Sequence, residues 1–292
     1  MTETSGVWDL VVLLLAALTP AILYLSWIRR TERYLTEAWR PLLGAFAFGA
    51  VAATLLAIFI EGILIGAGTA ISEANPGPEF SFLNAGSSIG LFFLVLVVAP
   101  ITEEAVKAWG VTTRAGQFRL PADGPVFGAS VGLGFGFFET LVYGITAYFL
   151  LGGLLAGLAI IFLRSLSTVL LHASTAAIFG NGYAQGRFFG VPFAAGRHYL
   201  LAVLMHATFN ALASVGIVLS VLGASDTAVA AASVVALVLA MGFAFAAIEY
   251  ARVLIQRGDY PATSGPRTAV RPQSLRPKPP ASGKAPQTGY RG

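Results

Sequence analysis

The chain has 292 residues, of which 56% are hydrophobic and only 11% charged, with a mean hydropathy of +0.76. Soluble domains carry roughly a quarter charged residues, so this composition excludes an ordinary soluble enzyme and a largely disordered chain. There is no cysteine, which excludes disulfides, thiolate metal sites and a cysteine nucleophile.

Seven apolar runs reach the length of about 20 residues that crosses a bilayer as a helix: 7–28, 42–65, 87–110, 126–151, 154–179, 199–222 and 228–250. Strand-type alternation is absent, which argues against an outer-membrane barrel. The first run has no basic residue before it and is followed by Arg29 and Arg30, so it reads as a span and not as a cleaved signal. Arg33 and Arg40 follow it, Lys107, Arg114 and Arg119 lie around the end of the third run, and Arg187 and Arg197 separate the fifth from the sixth. Eight more basic residues follow the seventh, and of all 18 Lys and Arg only Arg164, inside the fifth run, departs from this side. The positive-inside rule makes that side cytoplasmic, with the N-terminus outside and the C-terminus inside. The +4 net charge is thus a topology signal, and no nucleic-acid partner follows from it. The expected fold is all-α: a polytopic transmembrane helical bundle over 1–260, placed in the cell membrane, and a disordered, basic, Pro-rich cytoplasmic tail over 261–292. In the fourth run Gly128, Gly132 and Gly136 recur every four residues, which lets another helix approach closely, with Gly134 adding to the effect. The GLGFG stretch there follows no strand and is not a nucleotide loop.

An ionisable side chain in hydrocarbon costs about 2.5–3.5 kcal/mol on insertion scales and therefore needs a partner or a wet cavity. The runs hold Glu61, Glu103, Glu104, Glu139, Arg164, His172, His206 and Glu249, with Asn210 as a polar neighbour. At a rise of ~1.5 Å per residue, Glu103, Glu104, Glu139, His172 and His206 arrive from four helices at one level in the inner part of the bilayer. The expected site is a small polar chamber open toward the cytoplasm. On the helix surface Glu103 and Glu104 share a face or nearly so with Lys107; His206 stacks on Asn210; and Phe135, Glu139 and Tyr143 line one face. Two adjacent carboxylates do not both stay ionised cheaply at low dielectric unless a cation such as Lys107 neutralises one. One can then act as general base, while imidazoles and an amide donate to an oxyanion. Glu61 and Arg164 read as structural, Glu249 as paired with Arg252, and His198 as a loop residue. Two histidines and up to three glutamates also form a valid zinc ligand set, although HExxH is absent.

At these residues the sequence becomes recognisable. ITEEAVKAW (101–109) fits EExxK, FGFFE (135–139) fits FxxxE, LHAST supplies His172, and HATFN (206–210) fits HxxxN. With the opening TPAILYLSWIRRTERY, the ordered set resembles the PrsW family of intramembrane proteases, itself similar to the CAAX prenyl endopeptidases. The resemblance implies a glutamic-type intramembrane peptidase, sometimes described as a metalloprotease. It makes Glu103 the activating base, supported by Glu104 and Lys107, with Glu139 assisting water activation. His206 and Asn210 would hold the oxyanion, and His172 would complete the site, beside Phe135. The first cytoplasmic loop departs from the expected acidic residue followed by proline: it has Glu37-Ala38, with Pro41 further on. The family's best-known role is cutting a membrane-bound anti-sigma factor, so a membrane-anchored protein substrate within a lipid bilayer is implied. The alternatives are a metal-dependent variant of the same protease using a divalent ion such as zinc, a proton-coupled transporter, and a non-catalytic binding partner on the same scaffold.

Overall fold

The computed structural model describes residues 3–260; the expectation of a disordered tail over 261–292 lies outside them. The described residues are helical with no strand. Six helical stretches are long and apolar enough to cross a membrane, and a bent pair completes seven. These are α1 (Glu3–Arg29), a second span of α2 (Trp39–Ala47) and α3 (Thr54–Ala74), a third of α4 (Ser88–Phe93) and α5 (Ala99–Thr112), α6 (Asp123–Ala147), a fifth of α7 (Leu154–Ser165) and α8 (Thr168–Phe189), the pair α9 (Ala194–Ala213) and α10 (Val215–Val221), and α11 (Asp226–Gly258). The sixth apolar run is therefore not one straight helix but is bent by 53° at Ser214.

The apolar surface is turned outward, as a lipid solvent allows. Leu155 is 80% exposed and Leu151 70%, positions that water would penalise. The bundle is held instead by close approach of small residues. A Cβ on Gly124, Gly128 or Gly132 would strike the backbone carbonyl of Gly180, Ala176 or His172 respectively. The four-residue glycine repeat is thus the seam of α6 on α8, and it presses α6 against the turn that carries His172. Gly134, on another face, meets the backbone of Phe46 instead.

Three spans contain a π-helical segment, at Phe48–Ala53, Leu94–Val98 and Tyr148–Gly152. Such segments widen a helix by one residue per turn and re-aim the side chains that follow. The helices also extend further toward the basic end than the apolar runs do, to Gln117, Phe189 and, for α6, from Asp123. Lys107 accordingly lies inside the bundle, fully buried, and not at a loop boundary.

At the basic end, the segment after α1 folds under the bundle. Arg29 Nε donates to Glu37 O at 2.7 Å and Arg119 Nη2 to Glu37 Oε1 at 2.6 Å. Glu37 is thus the anchor between this loop and the 119–123 turn. Glu32 is buried beside it and accepts the Glu37 N–H at 2.8 Å. Burial pushes the Glu32 carboxyl up to about 8 from an ordinary 4.5; the charges of Asp123, Glu37 and Asp259 add to the rise, and the Glu37 N–H opposes it. The folded state therefore holds a proton that the unfolded chain releases. The stability this proton contributes is whole below about 4.5 and is lost as pH rises to about 8. Thermal unfolding of the solubilised protein across this window should show a falling midpoint, and Glu32→Gln should flatten the slope. Equal slopes in the two proteins would contradict the assignment.

Candidate active site

The polar residues of four spans meet at one place. Glu103, Glu104 and Lys107 come from α5, Glu139 and Phe135 from α6, His172 from α8 and His206 from α9. Glu104 accepts three hydrogen bonds on Oε1: from Lys107 Nζ at 2.5 Å, from His206 Nδ1 at 2.9 Å and from Thr175 Oγ1 at 3.0 Å. Lys107 thus pairs with Glu104, the i−3 carboxylate, and leaves Glu103 free of it. The ammonium also lies 4.9 Å from the Phe135 ring centroid.

The two imidazoles are oriented by carboxylates. His172 Nε2–H donates to Glu139 Oε2 at 2.7 Å, which leaves Nδ1 as the lone-pair nitrogen; Lys107 Nζ donates to it at 2.8 Å. His206 Nδ1–H donates to Glu104, so its Nε2 carries the lone pair. Glu103 Oε2 lies 3.9 Å from His172 Nδ1 and 3.9 Å from His206 Nε2. This oxygen is buried and has no hydrogen-bond partner. Arg164 Nη2 stands 2.9 Å from Glu139 Oε2, with the guanidinium carbon 3.9 Å from the Tyr143 ring centroid.

Glu103, His172 and His206 each offer one ligand atom, all within 4.8 Å of one another. One carboxylate and two imidazoles suit zinc, and each imidazole is backed by a carboxylate on its outer nitrogen, as metal-bound histidines generally are. The orphaned Glu103 oxygen faces the same point. These residues therefore fit a divalent metal, with the Lys107 contact on His172 Nδ1 as the one interaction that would have to yield.

A cavity of about 700 Å3 opens from this cluster. On each of these four spans its wall continues in the same direction: from Glu103 to Val95, from Glu139 to Tyr143, from His172 to Arg164 and from His206 to Ile217. That direction leads to the turns at 84–87, 152–153 and 222–225, the end of the bundle without basic residues. The expectation of a chamber open toward the basic side is corrected by this: the glycine seam of α6 on α8 and the buried Lys107 close that side. The cluster sits near mid-length of the extended helices and not at a boundary. Ile58 of α3 and Val142 and Tyr143 of α6 line the cavity and are each more than 40% exposed, so it also opens sideways, with α3 and α7 at its edges.

Asn210 lines the same cavity, one turn beyond His206, and its Nδ2 donates to Val95 O at 2.9 Å in the π segment. One amide proton is thus used to tie α9 to the third span, which leaves a second N–H on a side chain that lines the cavity. His198 lies apart, against Asn181 and Ala194 O. Glu249 pairs with Arg252 at 2.8 Å. Thr175 escaped the sequence reading, although it lies three residues after His172 and so on the same helix face. Glu61 and Arg164, read as structural, both line the cavity; their signal was a charge within a span that has no opposite charge nearby in sequence.

A family model described as "PrsW family intramembrane metalloprotease" matches residues 37–242. No curated protein and no solved structure matches the chain.

Proposed function

The chain belongs to the PrsW family of intramembrane metalloproteases, and from that premise we propose that it hydrolyses a peptide bond of a membrane-embedded protein substrate with a water activated by Glu103. The observation that carries this is the unpartnered Glu103 Oε2, buried and equidistant at 3.9 Å from His172 Nδ1 and His206 Nε2. A divalent metal held by His172 and His206, with Glu103 beside it as the base, would supply a Lewis acid at that point. The chain's own residues supply the rest. Glu139 and Glu104 fix the two imidazoles with their lone pairs inward. Lys107 neutralises Glu104. Glu103 takes the proton of the attacking water and returns it to the leaving amine, as one carboxylate can do for both steps. The free amide proton of Asn210 is available to the carbonyl oxygen as it gains charge. No acyl-enzyme is needed: the Thr175 hydroxyl, which donates to Glu104, does not line the cavity.

The cavity ends on Phe135 and His172, behind which Lys107 is fully buried. A dead end suits hydrolysis better than the alternative of a proton-coupled transporter, which requires a path to both sides. With the basic end in the cytoplasm of a cell membrane, the cavity faces the outer half of the bilayer. That placement suits a substrate cut near its external side, such as a membrane-bound anti-sigma factor undergoing regulated proteolysis.

The test uses the solubilised full chain and a single-span peptide substrate. New amino termini should appear, and the protein should carry about one zinc per chain by elemental analysis. His172→Ala and His206→Ala should each lose zinc and cleavage together, with helical content by circular dichroism retained. Protein that binds the peptide and releases no new terminus would refute the proposal.

A further inference from the structure

The cavity contains a carboxylate that the hydrolytic machinery does not use. Glu61 lies in α3 with no basic residue anywhere in that helix. It lines the cavity, and its Oε1 is buried without a hydrogen-bond partner. The two cations at the site are already engaged: Lys107 with Glu104 at 2.5 Å and Arg164 with Glu139 at 2.9 Å. Glu103 faces the imidazoles. Four glutamates face two cations: Glu103 stands beside the two imidazoles that would hold the metal, and Glu61 is the carboxylate with neither a cation nor an oriented imidazole beside it.

An unpaired carboxylate in a bilayer is costly, and one with an unsatisfied buried oxygen more so. A donor arriving with the substrate would remove that cost. An incoming segment with a lysine or arginine carries the complementary penalty in lipid, which pairing would relieve as well. A neutral backbone N–H would satisfy the oxygen but not the charge. We propose that Glu61 is a specificity-determining residue, a carboxylate that receives a lysine or arginine side chain of the substrate on the open-end side of the scissile bond. Its position on α3, at one edge of the sideways opening, places it where a segment entering from the lipid passes first. The inference rests on the peptidase reading above and names the substrate class it favours.

The absence of cysteine allows a binding readout separate from cleavage. A single cysteine at Ile58, one turn before Glu61 on the cavity side, is introduced into the full chain bearing Glu103→Gln. Single-span peptides carrying Lys, Gln or Glu at successive positions beyond the cut, with a cysteine-reactive photoprobe, are cross-linked to it in detergent. At one position the Lys peptide should cross-link and, in the chain with Glu103 intact, be cleaved in preference to the Gln and Glu peptides. Glu61→Gln should raise KM for that Lys peptide by about tenfold, the scale of a hydrogen bond to a charged group. Glu61→Arg should turn the preference toward the Glu peptide. A ranking of Lys, Gln and Glu that Glu61→Gln leaves unaltered, in cross-linking and in KM, overturns the proposal. Charge-dependent cross-linking without any cleavage would instead keep Glu61 as the recognition residue and overturn the peptidase reading.

Discussion

Glu103→Gln should lower kcat by roughly 10²–10⁴-fold, the range that a positioned proton acceptor supplies, while KM stays within about twofold. The substitution keeps the side chain's shape and one carbonyl oxygen but removes the carboxylate oxygen that is buried without a partner and faces both imidazoles. Glu139→Gln should act differently. Its Oε2 orients His172 at 2.7 Å and is itself held by Arg164. The amide oxygen still accepts from Nε2–H but no longer polarises the ring, so the loss should be about 10–100-fold, the size of an outer-shell effect on an oriented histidine. Arg164→Gln should mimic part of that loss, since it frees Glu139 to turn away. Initial rates on a single-span peptide, with substrate binding measured separately, give both numbers. If Glu103→Gln and Glu139→Gln both cleave at the wild-type rate, water activation by these carboxylates is wrong. If Glu139→Gln costs as much as Glu103→Gln, then Glu139 handles the transferred proton itself.

Much of this site was legible without coordinates, for one physical reason. A bilayer makes every charged or polar side chain in a span conspicuous, so Glu103, Glu139, His172 and His206 stood out by their cost alone. The i,i+3 spacing of Glu104 and Lys107 already allowed the pair that forms. The glycine repeat of α6 announced a close neighbour but not its identity, since the stripe on α8 that meets it is made of backbone at Gly180, Ala176 and His172. What the linear pattern could not contain is where helices end. Hydropathy stops where polar residues begin, yet α8 continues through Asn181 and Gln185 to Phe189. A site measured from the ends of the apolar runs is therefore displaced toward the basic side. The same blind spot hid the bend at Ser214, where Ala213 and Val215 are both apolar and only the backbone turns.

The direction of the cavity follows from that packing. Toward the basic end, α6 and α8 touch along glycine and leave no space between them. Toward the other end α8 begins at Thr168, next to the Gly136–Val169 contact, and the cavity opens beyond it along Glu139 and Tyr143. Glu61 and Arg164 are charged residues of the open half, and their placement there makes sense of charges that looked structural when each span was considered by itself.

Lys107→Met should destabilise the protein by about 3–5 kcal/mol, the cost of stripping one partner from a buried ion pair. Lys107 is fully buried, 2.5 Å from Glu104 and 2.8 Å from His172 Nδ1. Without the ammonium, Glu104 keeps only Thr175 and His206 as donors, and neither brings a compensating positive charge while the imidazole is neutral. Glu104→Gln should be damaging in the opposite sense, with a buried ammonium left facing an amide. The double variant Lys107→Met with Glu104→Gln should recover most of the loss, because it holds no unpaired charge and the amide oxygen still accepts from His206 Nδ1–H and Thr175 Oγ1–H. The double-mutant cycle isolates the coupling between the two residues, read as the unfolding midpoint in detergent. Cleavage by the double variant separates structure from chemistry. If the pair serves to keep His206 oriented in a folded bundle, rescue of stability should bring back most of the activity. If stability returns and activity does not, the Lys107 charge itself acts in the reaction through its contact with His172. A double variant no more stable than either single one would mean that the two side chains are not an energetic pair.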